Sequence, residues 1–166
     1  DINEIYEMRL ILEKSAARLA AERATDAQID ALAQQATFTY TFGDRQSYLD
    51  FLQHNTGFHS RVASLSGKTT LLNAVAGLLD SMTRIFHIGL DLRDSAEEMR
   101  SEHIQLVTAL QQRDAGLLEQ IVENQILRSR ERVVEMLNQR LRVEGGLLAE
   151  ASAAILRGFF AARRGK

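Results

Sequence analysis

The sequence predicts an all-α protein on three observations. None of its 166 residues is proline, so no residue obliges a helix to stop or kink. Ala, Leu, Glu, Arg and Gln dominate, and these residues lose least on entering a helix. Apolar residues recur at helical spacing in one stretch after another, with capping signatures and most of the glycines between them.

The length is that of one domain, and 45% hydrophobic content supplies a core for it. A net charge of −2 and a pI near 6.1 argue against broad attraction of this chain to nucleic acid or membrane. There is no cysteine, which excludes disulfides and thiolate metal sites. No run approaches the roughly 18 apolar residues of a membrane span, and no signal peptide opens the chain. The helical pattern has already begun at Asp1, so the chain is expected to be part of a longer protein.

The first helix is expected over residues 3–24, with Ile2, Ile5, Leu12, Ala16 and Leu19 as its stripe. Arg9 lies on that stripe, where a guanidinium either snorkels to the edge or faces a buried anion. Thr25 and Gln28 form a capping box for a second helix over residues 26–37. Residues 37–41 read as a fraying end or a short extended link. A third helix spans residues 47–65, ended by Ser66-Gly67. It carries Asn55 and His59 on one face, with His54 expected on another, exposed one. Gly57 inside it costs about 1 kcal/mol relative to Ala, which suggests the close approach of a neighbour or a ligand.

The fourth helix is expected over residues 69–92, with Leu71, Leu72, Val75, Leu78, Leu79, Met82, Ile85 and Phe86 as a broad apolar face flanked by Arg84 and His87. The Gly67-Lys68-Thr69-Thr70 string lacks the upstream glycine of a phosphate loop and follows a helix, so it is not one. Ser95 and Glu98 read as a second capping box, opening a helix to residue 112 with Met99, His103, Leu106 and Leu110 inside. Arg113-Asp114 turns the chain into a sixth helix to about residue 142, with Leu118, Ile121, Val122, Gln125 and Met136 on its inner stripe. Gly145-Gly146 then breaks it. A last helix over residues 147–162 has Leu148, Ile155, Leu156, Phe159 and Phe160 as its apolar face, followed by Arg163, Arg164 and Lys166.

Several polar residues interrupt these stripes. Asn55 and His59 are four apart and share a helical face with Leu52 and Val62. His103 sits between Met99 and Leu106, and Gln125 lies on the inner stripe of helix six. Measured from the turn at Arg113, His103 and Gln125 lie ~15 and ~18 Å along antiparallel axes, nearly side by side. The same reasoning from the turn near Arg93 brings Arg84 level with His103. Buried polar groups must find partners, so this cluster is either a self-satisfied polar core or a site. Two imidazoles suit zinc, nickel or copper. Glu102 points elsewhere on its helix and reads as a surface charge or an outer partner of His103. His-Glu-x-x-His is absent, no Glu-x-x-His pair marks a carboxylate-bridged metal site, and no nucleophile motif is present. There are no candidate catalytic residues, and the chain is not expected to be an enzyme.

At these residues the sequence resembles the FCD domain, the C-terminal ligand-sensing domain of FadR-type GntR transcription regulators. The resemblance runs over residues 5–137. Its landmarks are Glu7-Met8-Arg9…Leu12-Glu13…Ala16-Ala17…Leu19-Ala20-Ala21, then Asn55-x-x-Phe58-His59, Ser66-Gly67 with Leu71-Leu72, and Glu102-His103…Ala109-Leu110…Asp114. It implies an antiparallel bundle of six or seven helices around a central pocket. In many members that pocket holds a divalent metal on an Asp or Asn and three His, with a carboxylate effector completing the coordination. Asn55, His59 and His103 match the first three positions, and Gln125 stands at the fourth in place of His. Asn instead of Asp and one imidazole fewer weaken the ligand set. Two occupancies therefore stay open: one divalent Zn, Ni or Mn on Asn55, His59, His103 and Gln125, or a metal-free pocket in which these four bind the effector directly. Arg9 is the choice for the effector carboxylate, with Arg84 as a further pocket cation.

The resemblance also implies a bacterial regulator's effector-sensing and dimerisation domain over residues 1–142, with an extra helix over 143–166. It implies a homodimer in the cytoplasm that touches DNA only through a winged helix-turn-helix outside this chain. The rival is a small metal-binding protein or metalloenzyme using His59 and His103. A third reading is a purely structural helical module, which a cavity of several hundred cubic ångströms would exclude.

Overall fold

The computed structural model describes residues 2–87 and 93–163, with side chains through residue 139. Within them the fold is all-helical: α1 (Ile2–Arg23), α2 (Asp26–Ala33), α3 (Arg45–Ser64), α4 (Thr69–Phe86), α5 (Ala96–Gln111) and α6 (Ala115–Arg163). None of these helices is long and apolar enough to cross a membrane.

The spine is α1 laid antiparallel on α6. Asn3 receives a hydrogen bond from Arg130, Tyr6 meets Ser129, Lys14 pairs with Glu123 and Arg18 with Glu119, so numbers rise on one helix as they fall on the other. The buried face of α1 is Tyr6, Arg9, Glu13, Ala16, Ala17, Ala20 and Ala21. That is one helical stripe, rotated from the expected one, so Ile2, Ile5, Leu12 and Leu19 are only half-buried. The run of alanines lets neighbouring helices approach the α1 backbone closely. α3 and α4 form an antiparallel pair tied by Thr56 Oγ1 to Thr83 Oγ1 at 3.0 Å. Ala16, Ala63, Val75 and Leu79 make a small core where this pair meets α1. α5 turns back along α6, and Leu106, Leu110, Leu118, Val122 and Ile126 fill the larger core with the alanines of α1.

The ends are stapled. Arg113 takes the left-handed turn position with φ 57°. Its guanidinium donates to the Ala24 carbonyl and to Asp26 Oδ1, binding the α5–α6 turn to the end of α1. Arg23 Nη1 donates to the Ser66 carbonyl at 2.9 Å, holding the α3–α4 turn, where Gly67 has φ 68° and ends the helix as expected. The capping box at Thr25 and Gln28 is present on both sides.

Some boundaries differ from the sequence reading. α2 stops at Ala33, and residues 38–41 belong to no regular element. α3 starts two residues early because Asp44 Oδ1, rather than Ser47, caps it, accepting from the Ser47 amide at 3.1 Å. α4 ends at Phe86 with His87 as its C-cap, and residues 88–92 lie outside the described part. The Ser95 side chain makes no cap. Its expected partner Glu98 is drawn instead to Arg93 and Arg132, each at 3.0 Å. His54 is half-buried, stacked on Phe38 at 4.2 Å, with Nε2 2.9 Å from the Gln35 carbonyl, so it belongs to the contact between α3 and the segment that follows α2. A Cβ on Gly57 would meet nothing within 4 Å, so no neighbour approaches there. Gly145-Gly146 does not break α6, which runs unbroken for 49 residues. Glycine weakens a helix without forbidding it. The apolar face expected over residues 147–162 lies outside the described side chains.

Candidate functional site

Four helices bring polar side chains to one interior cavity. Arg9 comes from α1, Asn55 and His59 from α3, His103 from α5 and Gln125 from α6. Each arrives by helical periodicity: Asn55 and His59 one turn apart, and His103 three residues before Leu106 on a buried face.

His103 is the centre. Its Nε2 is 2.9 Å from Asn55 Oδ1, and its ring packs against Phe58 at 4.3 Å and edge-on to His59 at 5.2 Å. With the Asn55 oxygen as acceptor, Nε2 carries the hydrogen and Nδ1 holds its lone pair. Nδ1 is buried and has no hydrogen-bond partner. Burial, aided by His59, His54 and Arg132, holds the imidazole neutral, well below its usual pKa. Burial, with Arg9 adding to it, brings His59 down to about 3. His59 Nδ1 stands 3.9 Å from Glu13 Oε2; with a neutral ring this is proximity rather than an ion pair.

The charges come in internal pairs. Arg9 does not snorkel: its side chain is 5% exposed and its Nε donates to Glu13 Oε1 at 2.6 Å, Glu13 itself being 7% exposed. Arg132 grips both oxygens of Glu102 with two bonds of 3.0 Å, the bidentate geometry that makes guanidinium–carboxylate pairs strong. Glu102 is therefore a buried member of the site wall, not a surface charge. Gln125 Nε2 donates to the Glu102 backbone carbonyl, tying α6 to α5. Arg84 is exposed and does not line the cavity. α4 presents Leu79, Met82 and Thr83 to it instead, because its broad apolar face turns the Arg84 side outward.

Sequence reasoning passed over Glu13, Arg132 and Ser129. Two signals were available. Glu13 is four residues after Arg9 on one helix, and Arg132 is seven after Gln125, two turns along the same face.

The cavity volume is about 30 Å³, room for an ion or one or two waters. A small organic ligand needs roughly 300 Å³ or more, so this closed shape does not meet the size expected to exclude a purely structural role. A second cavity of about 60 Å³ adjoins it, with Tyr40, Tyr48 and Arg93 among its walls. Phe86, Met99 and Arg132 line both.

A divalent ion fits this set poorly. The imidazoles are neutral and chemically suited, but no three His, Cys, Asp or Glu side chains converge among the described residues. Glu13 and Glu102, the acids at hand, are engaged by Arg9 and Arg132. The carboxamides of Asn55 and Gln125 bring no negative charge.

The FCD domain family model matches residues 4–128 of the chain. The HTH-type transcriptional repressor NanR of Citrobacter rodentium (strain ICC168) is 29% identical over 127 residues, which cover 75% of this chain and 48% of the relative. The chain thus spans about half the length of the curated relative it matches.

Proposed function

This chain belongs to the FCD domain family, and from that premise we propose that it is the effector-sensing and dimerisation domain of a bacterial GntR/FadR-type transcription regulator. The observation that carries this reading is the buried polar cavity shared by Arg9, Asn55, His59, His103 and Gln125 on four different helices. A ligand that touches four helices can favour one arrangement of the bundle over another, and differential affinity of that kind is what lets an effector alter a distant surface. The effector is a small organic acid. Its carboxylate takes the Nη groups of Arg9, whose Nε keeps Glu13, while the imidazoles and carboxamides read the rest of the molecule. Operator contact belongs to a winged helix-turn-helix module of the regulator, in line with the HTH-type repressor that this chain resembles. Residues 1–142 form the sensing bundle, with 143–166 continuing from it. The regulator acts as a cytoplasmic homodimer. The rival metalloenzyme reading rests on His59 and His103, and no third metal-binding side chain converges with them among the described residues.

The test is thermal denaturation against a panel of small carboxylic acids, for the wild-type chain and for Arg9→Gln. At a concentration about 100-fold above its Kd, an effector adds about 2.7 kcal/mol to the folded state and raises Tm by several degrees. Arg9→Gln should lose most of that rise. A panel that shifts neither protein, or both equally, rules this reading out. In the intact regulator, a saturating effector that left operator affinity unchanged would rule out the coupling.

A further inference from the structure

We infer that this domain binds its effector directly, without a resident metal ion, and that the effector is a hydroxy or amino acid whose donor group hydrogen-bonds His103 Nδ1. The inference rests on the sensing role proposed above and specifies the chemistry of the same cavity.

Three features carry it. The first is the state of the four side chains at the positions where the resemblance places metal ligands. Asn55 Oδ1 is the hydrogen-bond acceptor of His103 Nε2 at 2.9 Å, so the imidazole nitrogen that faces the other donors holds a hydrogen rather than a free lone pair. Gln125 donates one of its two amide hydrogens to the Glu102 backbone carbonyl and serves as a tie between α5 and α6. His59 makes no hydrogen bond to another of the four. Two imidazoles, one of them engaged through Nε2, with neutral amide oxygens are a weak set for a divalent transition metal.

The second feature is charge. A dication is held most firmly where protein anions offset it. Here each acid at the cavity is matched by an arginine: Glu13 by Arg9 at 2.6 Å and Glu102 by Arg132 at 3.0 Å. The wall therefore has no net negative charge to offer, and two guanidiniums stand beside the ligand positions. An organic acid can instead use the guanidinium nitrogens of Arg9 that the bond to Glu13, made through Nε, does not use.

The third feature is His103 Nδ1, a buried acceptor with no donor. Leaving such a group unpaired is costly, and a ligand that supplies an O–H or N–H recovers that loss. A plain carboxylate cannot. A carboxylate with a hydroxyl or amino group near the acid can serve Arg9 and His103 together, on the same interior cavity.

The experiment begins with the wild-type chain purified without chelator or added metal. Elemental mass spectrometry should find well under one transition-metal ion per chain, and neither EDTA nor equimolar zinc should move Tm. The double variant Asn55→Asp/Gln125→His restores an acid and an imidazole and should bind zinc on the order of 100-fold more tightly than wild type. Near one ion per wild-type chain, removed by EDTA with a fall in Tm, overturns the inference. So does a folded double variant that binds zinc no better than wild type. The carboxylic-acid panel is then run in EDTA and in zinc, each hydroxy or amino acid beside its counterpart lacking that group. Binding in EDTA that weakens about tenfold without the donor group is the expected result. An acid that binds only with zinc, or whose counterpart binds equally well, overturns the inference and leaves the sensing role standing. No binder in either condition overturns the sensing role itself.

Discussion

His59 and His103 stand ring against ring in the interior, and their neutrality makes the fold sensitive to acid. In the unfolded chain each takes up a proton near pH 6.5. In the folded chain His59 does so only at about 3, and His103 is held well below its usual value, burial being the main cause for both. The unfolded state therefore binds more protons across this window. The contribution is complete above pH 6.5 and is lost as pH falls from there toward 3, by at most about 1.4 kcal/mol per pH unit for each histidine. Urea midpoints at about pH 7 and pH 5 should show the loss, and His103→Gln should roughly halve it. Equal midpoints would mean that the imidazoles titrate as if exposed. Five of the six candidate effector residues were legible as cavity-lining, because helical spacing places them on inward-facing stripes. Arg84 was not, because levelling two antiparallel helices sets height along the axis and leaves rotation about it undetermined. Packing decides rotation, and it turned Arg84 outward and Arg132 inward.

Whole helices were legible where their signals are local, and their ends were misread where a distant residue intervenes. The Thr25–Gln28 capping box lies within four residues and formed. The Ser95–Glu98 box looks the same in sequence, yet Arg132, thirty-odd residues away, takes the Glu98 carboxylate. The charge-assisted pairs to Arg93 and Arg132 outweigh a single neutral cap bond. Gly145-Gly146 is the reverse case, in which a strong local break signal loses to the continuing helix on either side. Each glycine still weakens α6 by about 1 kcal/mol relative to alanine. Gly145→Ala/Gly146→Ala should therefore increase helical circular dichroism and raise the Tm of the far part of α6. A fall in helicity would mean that the glycines form a turn after all.

At the scale of the whole bundle the decisive quantity is the mismatch between a cavity of about 30 Å³ and the roughly 300 Å³ that a small organic ligand fills. Binding must therefore open the bundle, and the two adjoining cavities indicate where. Their shared wall is Phe86 at the end of α4, Met99 in the second turn of α5 and the Arg132 fork to Glu102. Removing that wall joins the inner space to the outer one beside Tyr40 and Tyr48. Of the three, Met99 is half-buried, unbranched and carries no charge to be left unpaired, so it moves at least expense. A wall that opens at the junction of α4 and α5 also converts ligand entry into displacement of one helix end against another. Met99→Ala should let the ligand in faster, with association at least several-fold quicker in stopped-flow fluorescence, at a stability cost of about 2 kcal/mol. The off-rate should rise with it, because a passage that admits the ligand also releases it, and Kd should change less than either rate. If association is unchanged while stability falls, the wall is only packing, and the ligand enters from another side of the bundle.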